Sequence, residues 1–422
     1  MAESSEPAYV DLVRRKQAQL KSGIPAEWRL PAHLIPGDML SLADSITNAK
    51  QYQRVNVIDI PRNSGLLTPK DLEITENFDV CRLLSQIAEG KSSAEEVVRG
   101  FSKRAAIAHQ VTRCLTEPLF DSALQRGKAL DEHLQHTGKP VGPLNGLPVS
   151  VKDCFRVKGV DASIGLTALA FKPSTLNAPL LTAGGSSGGE GALIAMRGAM
   201  VGFGADFGGS IHVPAMCNNI YGFKPSAGRI PFGGLESGRL HGQDRISMQA
   251  VAGPLAVADL EAVMKRDCPE SGPVWSKEFT VGVLRTDGLV TPLPPIARVM
   301  DEVAESLRRT PGVSVVEVPV PPALKVNGDY TNRIDAIIAP VAPHPVPEID
   351  RYNSIGYTSS FVLLDYPAGT IPVRRESGRH MDSPILGSWD RVNRELWDNI
   401  PLTRLRSVVC KKIFLHYITG NL

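Results

Sequence analysis

The feature that most limits how this chain can fold is the crowding of glycine between residues 184 and 230, where twelve of its 38 glycines lie. Because glycine has no Cβ, a backbone so rich in it can approach another backbone or a ligand closely. The segment GGSSGGEGALIAMRGA predicts a loop followed by a helix, and AMVGFGADFGG predicts a strand that leads into a second turn. The stretch therefore predicts two glycine-rich turns that face one another.

A glycine-rich loop before a helix can bind phosphate, but this loop lacks the Gly-Lys-Ser/Thr ending of a P-loop. Neither turn holds G-x-G-x-x-G between a strand and a helix, so a nucleotide is not favoured. Residues 184–188 do fit the nucleophile-elbow pattern G-x-S-x-G, which places Ser186 at its centre and needs a histidine and an acid elsewhere. The other interpretation is a catalytic site shared by both loops, with Ser186 or Ser187 from the first, Ser210 from the second and Lys152 from a strand end.

Helix and strand patterns alternate along most of the chain. A Ser-x-x-Glu start at Ser93 predicts one amphipathic helix and Asp121 begins a second, while the run Pro148 to Val151 predicts a buried strand that ends at Lys152. Later strand patterns are TVGVLR, VSVVEVPV, DAIIAPVAP, LLDYPAGTIPV and the final RLRSVVCKKIFLHYITGNL, with a helix pattern in PPIARVMDEVAESLRR. This alternation indicates an α/β fold.

The charge balance and the cysteines narrow the classes of partner. Lys and Arg number 46 and Asp and Glu 44, so a net charge of +2 favours neither nucleic acid nor an anionic membrane surface. The six cysteines show no C-x-x-C pair, which predicts reduced thiols and neither a zinc site nor a disulfide framework. The first residues have no apolar core of a signal peptide, and no stretch has the length of a membrane span. We therefore expect a cytoplasmic protein.

The order of these motifs is specific. GGSSGGEGAL is followed by GADFGGSIHVPA, with Ser186 lying 24 positions before Ser210, and GLPVSVKDCF supplies Lys152 ahead of both. With YGFKPSAGRIP, the combination resembles the amidase signature family, and APVAPHPVPEID and LLDYPAGTIPV resemble its fungal acetamidase-like branch. The resemblance implies an α/β/α sandwich with a central mixed β-sheet in residues 76–422, a signature core at 142–235, and a preceding helical wrapping segment at 1–75.

The resemblance also implies a chemistry without metal or cofactor. Ser210 would attack a small carboxylic amide to form an acyl-enzyme and release ammonia, Ser186 would relay the proton, and Lys152 would act as the base. Burial would have to lower the pKa of Lys152 from its ordinary value of about 10.4 for the amine to be neutral. A homodimer is compatible with this branch. The remaining implied roles are oxyanion or substrate binding by Phe207, Gly208, Gly209 and Ser186, and support of the loops by Ser187 and Asp206.

The sequence departs from the family in its spacing. Lys152 and Ser186 lie 34 positions apart, about half the family's usual distance, so a segment that would carry a helix and a core strand is missing near Asn177 to Leu181. A second gap falls at Val326 to Thr331. We therefore expect an incomplete sheet with an unpaired strand edge, and a chain that tends to aggregate and has little activity.

Two single residues also differ from the family pattern, and two other functions are compatible with the motifs. His212 stands where the family commonly has Arg, and Asn145 where this branch often has His. One alternative to a working amidase is a catalytically weak or inactive amidase-like protein from a truncated or mis-spliced gene. The other is an esterase of the α/β-hydrolase type that uses Ser186 with His344 or His241.

Overall fold

The structure is a computed structural model of the whole chain, and it forms two compact units. The first unit contains Met1–Gly204, Pro231–Gly242 and Leu255–Val263, and the second contains Ala205–Ile230, Gln243–Pro254 and Met264–Leu422. The residues that the structure describes are 7–36, 55–178, 187–230, 236, 250–257, 279–319, 334–344, 356–363, 365–375 and 408–415. Ser186, His241 and the second predicted gap lie outside the described residues. The predicted boundary at residue 75 stays a prediction.

Most of the regular secondary structure described in the first unit is helical. Two predicted helices are confirmed, because one spans Ala94–Thr112 directly after Ser93 and the next begins at Phe120, one residue before the predicted Asp121. The first begins with a complete capping box, since the Ser93 hydroxyl accepts from the N–H of Glu96 and the Glu96 carboxylate accepts from the N–H of Ser93. The helices are α1 Ala8–Ser22, α2 Ile60–Asn63, α3 Pro69–Glu76, α4 Val80–Ala88, α5 Ala94–Thr112, α6 Phe120–Thr137 and α7 Gly188–Ala195.

The core of the first unit lies where α3, α4 and α5 meet. Ile74, Leu83 and Phe101 are almost fully buried in one apolar cluster that also includes Val201. Full burial of a side chain of this size stabilises the folded state by roughly 1.5 to 3 kcal/mol. The cluster therefore fixes α5 beside the strand that begins at Val201.

The first unit contains a pair of parallel strands. β1 spans Val149–Val151 and β2 spans Val201–Asp206, and they pair in parallel with Val149 opposite Val201. Among the described strands, β1 has β2 as its neighbour and ends the strand order. One edge of β1 therefore has no described strand beside it.

The second unit contains a mixed β-sheet. Its strand order is β4-β3-β8-β9-β7-β5-β6, in which β5 pairs in parallel with β6 and β7 while β9 pairs antiparallel with β7 and β8. The strands are β3 Tyr221–Lys224, β4 Val251–Ala256, β5 Phe279–Val283, β6 Val313–Glu317, β7 Ala336–Pro340, β8 Ala368–Arg375 and β9 Val408–Leu415. The helices are α8 His212–Asn218, α9 Pro294–Arg308 and α10 Gly356–Leu363. The predicted α/β class with a mixed sheet is confirmed.

Helix α9 shows how the sequence pattern becomes packing in this unit. Ile296, Val299, Met300 and Val303 recur at the spacing of one helix face and are buried against the β5 strand. The helix begins with prolines in its first turn, where the missing N–H would have no helical partner. No helix among the described residues is long and apolar enough to span a bilayer.

Candidate functional site

Lys152 lies directly after β1 and stays in the ladder of the strand pair. Its N–H donates to the carbonyl of Phe203 on β2 at 3.3 Å. Because side chains alternate along a strand, Ser150 and Lys152 project to the same face of β1. The Lys152 side chain is half-buried and lines a cavity of the first unit.

The predicted strand is present, but the prediction that it is buried is wrong. Val149 is 46% exposed, and Ser150 and Val151 are half-buried. The physical reason is the free edge of β1, where no described strand covers it. Leu119 and Leu144 are exposed as well, and both line the same cavity as Val149.

The cavity has a volume of about 790 Å³, and residues of α5, α6, α7 and β1 contribute to its lining. Most of its lining is apolar, including Phe101 and Leu130, and its polar groups include Ser150, Lys152 and Glu190. Pockets of this size and polarity accommodate small organic ligands. No group of three or more His, Cys, Asp or Glu among the described residues is placed to hold a metal ion.

Helix α7 approaches β2 closely because of two glycines on one face of the strand. A Cβ on Gly204 would lie 2.4 Å from the hydroxyl oxygen of Ser187, and a Cβ on Gly202 would lie 2.5 Å from a carboxylate oxygen of Glu190. Distances this short mean that a larger residue at either position would displace Ser187 or the Glu190 carboxylate, so glycine keeps α7 close to β2. Ser187 is fully buried at the start of α7, as expected for a residue that supports the loop.

Glu190 is a functional candidate that the sequence interpretation did not single out. Its carboxylate is almost fully buried and accepts a hydrogen bond from the hydroxyl of Ser150. Burial raises the pKa of Glu190 to about 7, and the Ser150 hydrogen bond and the positive charge of Lys152 oppose that increase. In the sequence, Glu190 stands out only through the spacing Ser187-x-x-Glu190. That spacing is also the pattern of an ordinary capping box, so the sequence alone does not mark Glu190 as functional.

The turn that follows β2 holds a second group of predicted site residues, and it lies in the second unit. Asp206 is fully buried, and its two carboxylate oxygens accept the N–H groups of Gly209 at 2.6 Å and Ile211 at 2.7 Å. The Thr358 hydroxyl on α10 donates to the carbonyl of Gly208. The Gly208 carbonyl and the Gly209 N–H belong to one peptide group, so these bonds fix that group at both of its polar atoms. The space where a Gly208 side chain would lie is open.

Gly209 needs to be glycine for two reasons. Its φ of +132° lies in a region that other residues rarely adopt, and a Cβ there would lie 2.6 Å from the Thr358 hydroxyl oxygen. Because its N–H already donates to Asp206, Gly209 supports the turn, and its predicted role as an oxyanion donor is not favoured. Ser210 follows it, half-buried, just before α8.

His212 is buried against Asp206. Its ring Nδ1 lies 2.8 Å from one carboxylate oxygen of Asp206, and its main-chain N–H donates to the same oxygen at 3.4 Å. The histidine that replaces the family's usual Arg thus keeps a hydrogen bond to the acid that holds the turn. His344, considered for a Ser/His site, is buried just beyond β7.

The described structure brings the predicted site residues together in two groups. Lys152 and Ser187 line one cavity of the first unit. The second group shares the turn after β2 and consists of Asp206, Phe207, Gly208, Gly209 and Ser210. Ser186, which directly precedes Ser187 in the sequence, lies outside the described residues.

Comparison with known protein families gives one match. A sequence model of the amidase family matches residues 96–182 and 177–332. The two pieces meet at 177–182, the position where the sequence analysis predicts a missing segment.

Individual relatives agree with this match. An acetamidase of Aspergillus oryzae is 32% identical over 78% of this chain and 68% of its own length. An acetamidase of Emericella nidulans is 29% identical over 87% of each protein. The latter alignment runs over 498 positions, more than the 422 residues of this chain, so that relative carries residues that this chain lacks.

Solved structures confirm the predicted fold. A fatty acid amide hydrolase superposes with a TM-score of 0.80 at 22% identity, covering 97% of this chain and 92% of its own. A peptide amidase of Stenotrophomonas maltophilia gives a TM-score of 0.57 at 16% identity, covering 83% of this chain and 95% of its own. The neighbours are amidase-signature enzymes, so the hypothesis of an α/β-hydrolase esterase is not supported.

Proposed function

This chain belongs to the amidase family of hydrolases that act on carbon–nitrogen bonds other than peptide bonds, and we propose that it hydrolyses a small carboxylic amide to the acid and ammonia. Lys152, Ser186 and Ser210 would form the catalytic triad. The names of the Aspergillus oryzae and Emericella nidulans relatives favour a short-chain amide as the substrate class.

The observation that carries the proposal is the turn held by Asp206. Its buried carboxylate and the Thr358 hydroxyl constrain Gly208 and Gly209 immediately before Ser210. Because Asp206 and Thr358 hold the peptide group between Gly208 and Gly209, the neighbouring N–H of Gly208 needs little reorganisation when negative charge develops on a substrate oxygen. A nucleophile beside such a turn is suited to acyl transfer.

The proposed reaction has two halves. The hydroxyl oxygen of Ser210 attacks the amide carbonyl while its proton passes through Ser186 to the neutral amine of Lys152, and N–H groups of the turn before Ser210 stabilise the oxyanion. Collapse of the intermediate breaks the C–N bond, and the proton held by Lys152 returns to the leaving nitrogen. Water then attacks the acyl-enzyme by the same proton route and releases the acid.

The test is labelling with a fluorophosphonate, which reacts with activated serines. We expect one adduct on Ser210, located by peptide mapping with mass spectrometry. The Ser306→Ala variant, which removes an exposed serine on α9, should label as the parent does. An adduct on Ser186 would support the esterase alternative, and a folded chain with no adduct would support the inactive alternative.

The edge of β1 that has no described strand beside it predicts a defect in stability. We expect that inserting at residues 177–182 the corresponding segment of the Emericella nidulans acetamidase raises the free energy of unfolding by several kcal/mol. Each large apolar side chain that it covers, such as Leu119, Leu144 or Val149, contributes roughly 1.5 to 3 kcal/mol. Thermal unfolding followed by circular dichroism, together with size-exclusion chromatography, measures the gain.

The matched control for that experiment is a Gly-Ser segment of equal length at the same position, which should give no gain. A parent chain that is already monodisperse, unfolds in one sharp transition and hydrolyses a short amide at a normal rate would contradict this prediction. It would show that the cavity wall is stable without a further strand.

A further inference from the structure

Glu190 is a buried ionisable group that the proposed mechanism leaves without a role. It lies on α7, is 7% exposed, and lines the same cavity as Lys152. Buried carboxylates are costly unless a partner compensates them. The compensating contact is the hydrogen bond that Glu190 accepts from Ser150, whose side chain projects from the same face of β1 as Lys152.

A structural role at the helix start does not account for Glu190. At α5 the pair Ser93 and Glu96 has the same spacing and makes both hydrogen bonds of a capping box. At α7 the equivalent residues are Ser187 and Glu190, and Ser187 makes no side-chain cap hydrogen bond. The Glu190 carboxylate instead turns away from its own helix start to β1.

The strands leave space for this arrangement. Gly202 on β2 lies beneath the Glu190 carboxylate, and a Cβ there would also lie 3.0 Å from the Ser150 hydroxyl oxygen. Ser150 and Lys152 project to one face of β1, so the carboxylate lies over the strand face that carries Lys152. Gly202, Ser150 and helix α7 therefore hold one carboxylate near the amine of Lys152.

We propose that Glu190 is the positioning residue of Lys152: it orients the amine and stabilises the ammonium that forms when Lys152 accepts the proton of the nucleophile. The proposal rests on the proposed function of Lys152 as the base. It follows the general pattern in which a base is oriented by a third, acidic group. One proton moves, from serine oxygen to lysine nitrogen, and the Glu190 carboxylate acts only through its charge.

The electrostatics agree with such a pair. Burial raises the pKa of Glu190 to about 7, and the positive charge of Lys152 opposes that rise, as expected for a carboxylate near that amine. Burial raises the pKa of the Cys114 thiol to about 11, and the negative charge of Glu190 adds to that increase. Among the described residues, the other ionisable side chains that line the cavity are Glu117 and Asp161, both paired with Lys16, and Arg126 and Asp153.

The test is Glu190→Gln, which keeps the shape and removes the charge. The reactivity of Lys152 is followed by competitive acetylation with acetic anhydride across pH, with peptide mapping by mass spectrometry. We expect the midpoint at which Lys152 becomes reactive to move to lower pH by about 1 unit, because a nearby negative charge favours the ammonium. We also expect kcat/KM for a short amide to fall roughly 100-fold at its plateau.

Two further variants keep the result interpretable. Glu96→Gln, the same change at the α5 capping box, should leave the Lys152 midpoint unchanged. Ser150→Ala should move the midpoint in the same direction by less, since it loosens the carboxylate without removing it. A midpoint that is unchanged in both Glu190→Gln and Ser150→Ala overturns the inference. A midpoint that moves while Lys152→Ala retains full turnover supports the Glu190 coupling and overturns the proposed base.

Discussion

Replacement of Ser210 by alanine is expected to abolish amide hydrolysis, lowering kcat/KM by about 10⁴-fold or more, as loss of the nucleophile does in serine hydrolases. The reason is chemical, because the attacking oxygen is removed while the turn that carries it remains. Asp206 binds the main-chain N–H groups of Gly209 and Ile211, and alanine at 210 leaves both bonds in place.

Initial rates with a short-chain amide and the yield of acyl-enzyme measure this effect. The thermal midpoint should change little, which separates lost chemistry from lost folding. Ser306→Ala again serves as the control, because it removes a serine hydroxyl on the exposed side of α9. Turnover by Ser210→Ala within tenfold of the parent would exclude Ser210 as the nucleophile.

Replacement of Lys152 by alanine is expected to lower kcat by about 10²- to 10⁴-fold, the usual contribution of a positioned base. The parent rate should rise with pH and then level off, since the neutral amine is the active form. The variant should lose that rise, because it has no amine to titrate. A pH profile of kcat/KM for both proteins measures the two effects.

The control for Lys152 is Lys158→Ala, which removes an exposed lysine a few residues further along the same segment. Its pH profile should match that of the parent. If Lys152→Ala kept both the rate and the pH dependence of the parent, another group would have to serve as the base.

Much of the local structure could be predicted because it depends on short-range chemistry. The Ser93 start of α5, the strands around Val149 and Val201 and the helix after the glycine-serine loop follow from capping residues and hydrophobic periodicity. The bracing role expected of Asp206 is consistent with its hydrogen bonds in the turn.

The rest depends on contacts between distant segments, which periodicity does not contain. The residues around Val149 read as a buried strand because their own sequence cannot state whether another strand lies at its edge. Glu190 could not be distinguished from a capping residue, since the difference lies in Ser150, 40 positions earlier in the chain. Likewise, the sequence did not indicate that the Gly209 N–H would be used by Asp206.

The parallel pairing of Val149 with Val201 also determines when this part of the protein can form during synthesis. Helices α5 and α6 are neighbours in the chain and can pack as soon as both have left the ribosome. β1 has to wait for β2, which at about 5 to 20 residues per second takes roughly 3 to 10 s. Throughout that interval β1 lacks its partner β2, so we expect the speed of translation between the codons for Val151 and Val201 to change how many chains reach the folded state, even when the amino-acid sequence is unchanged.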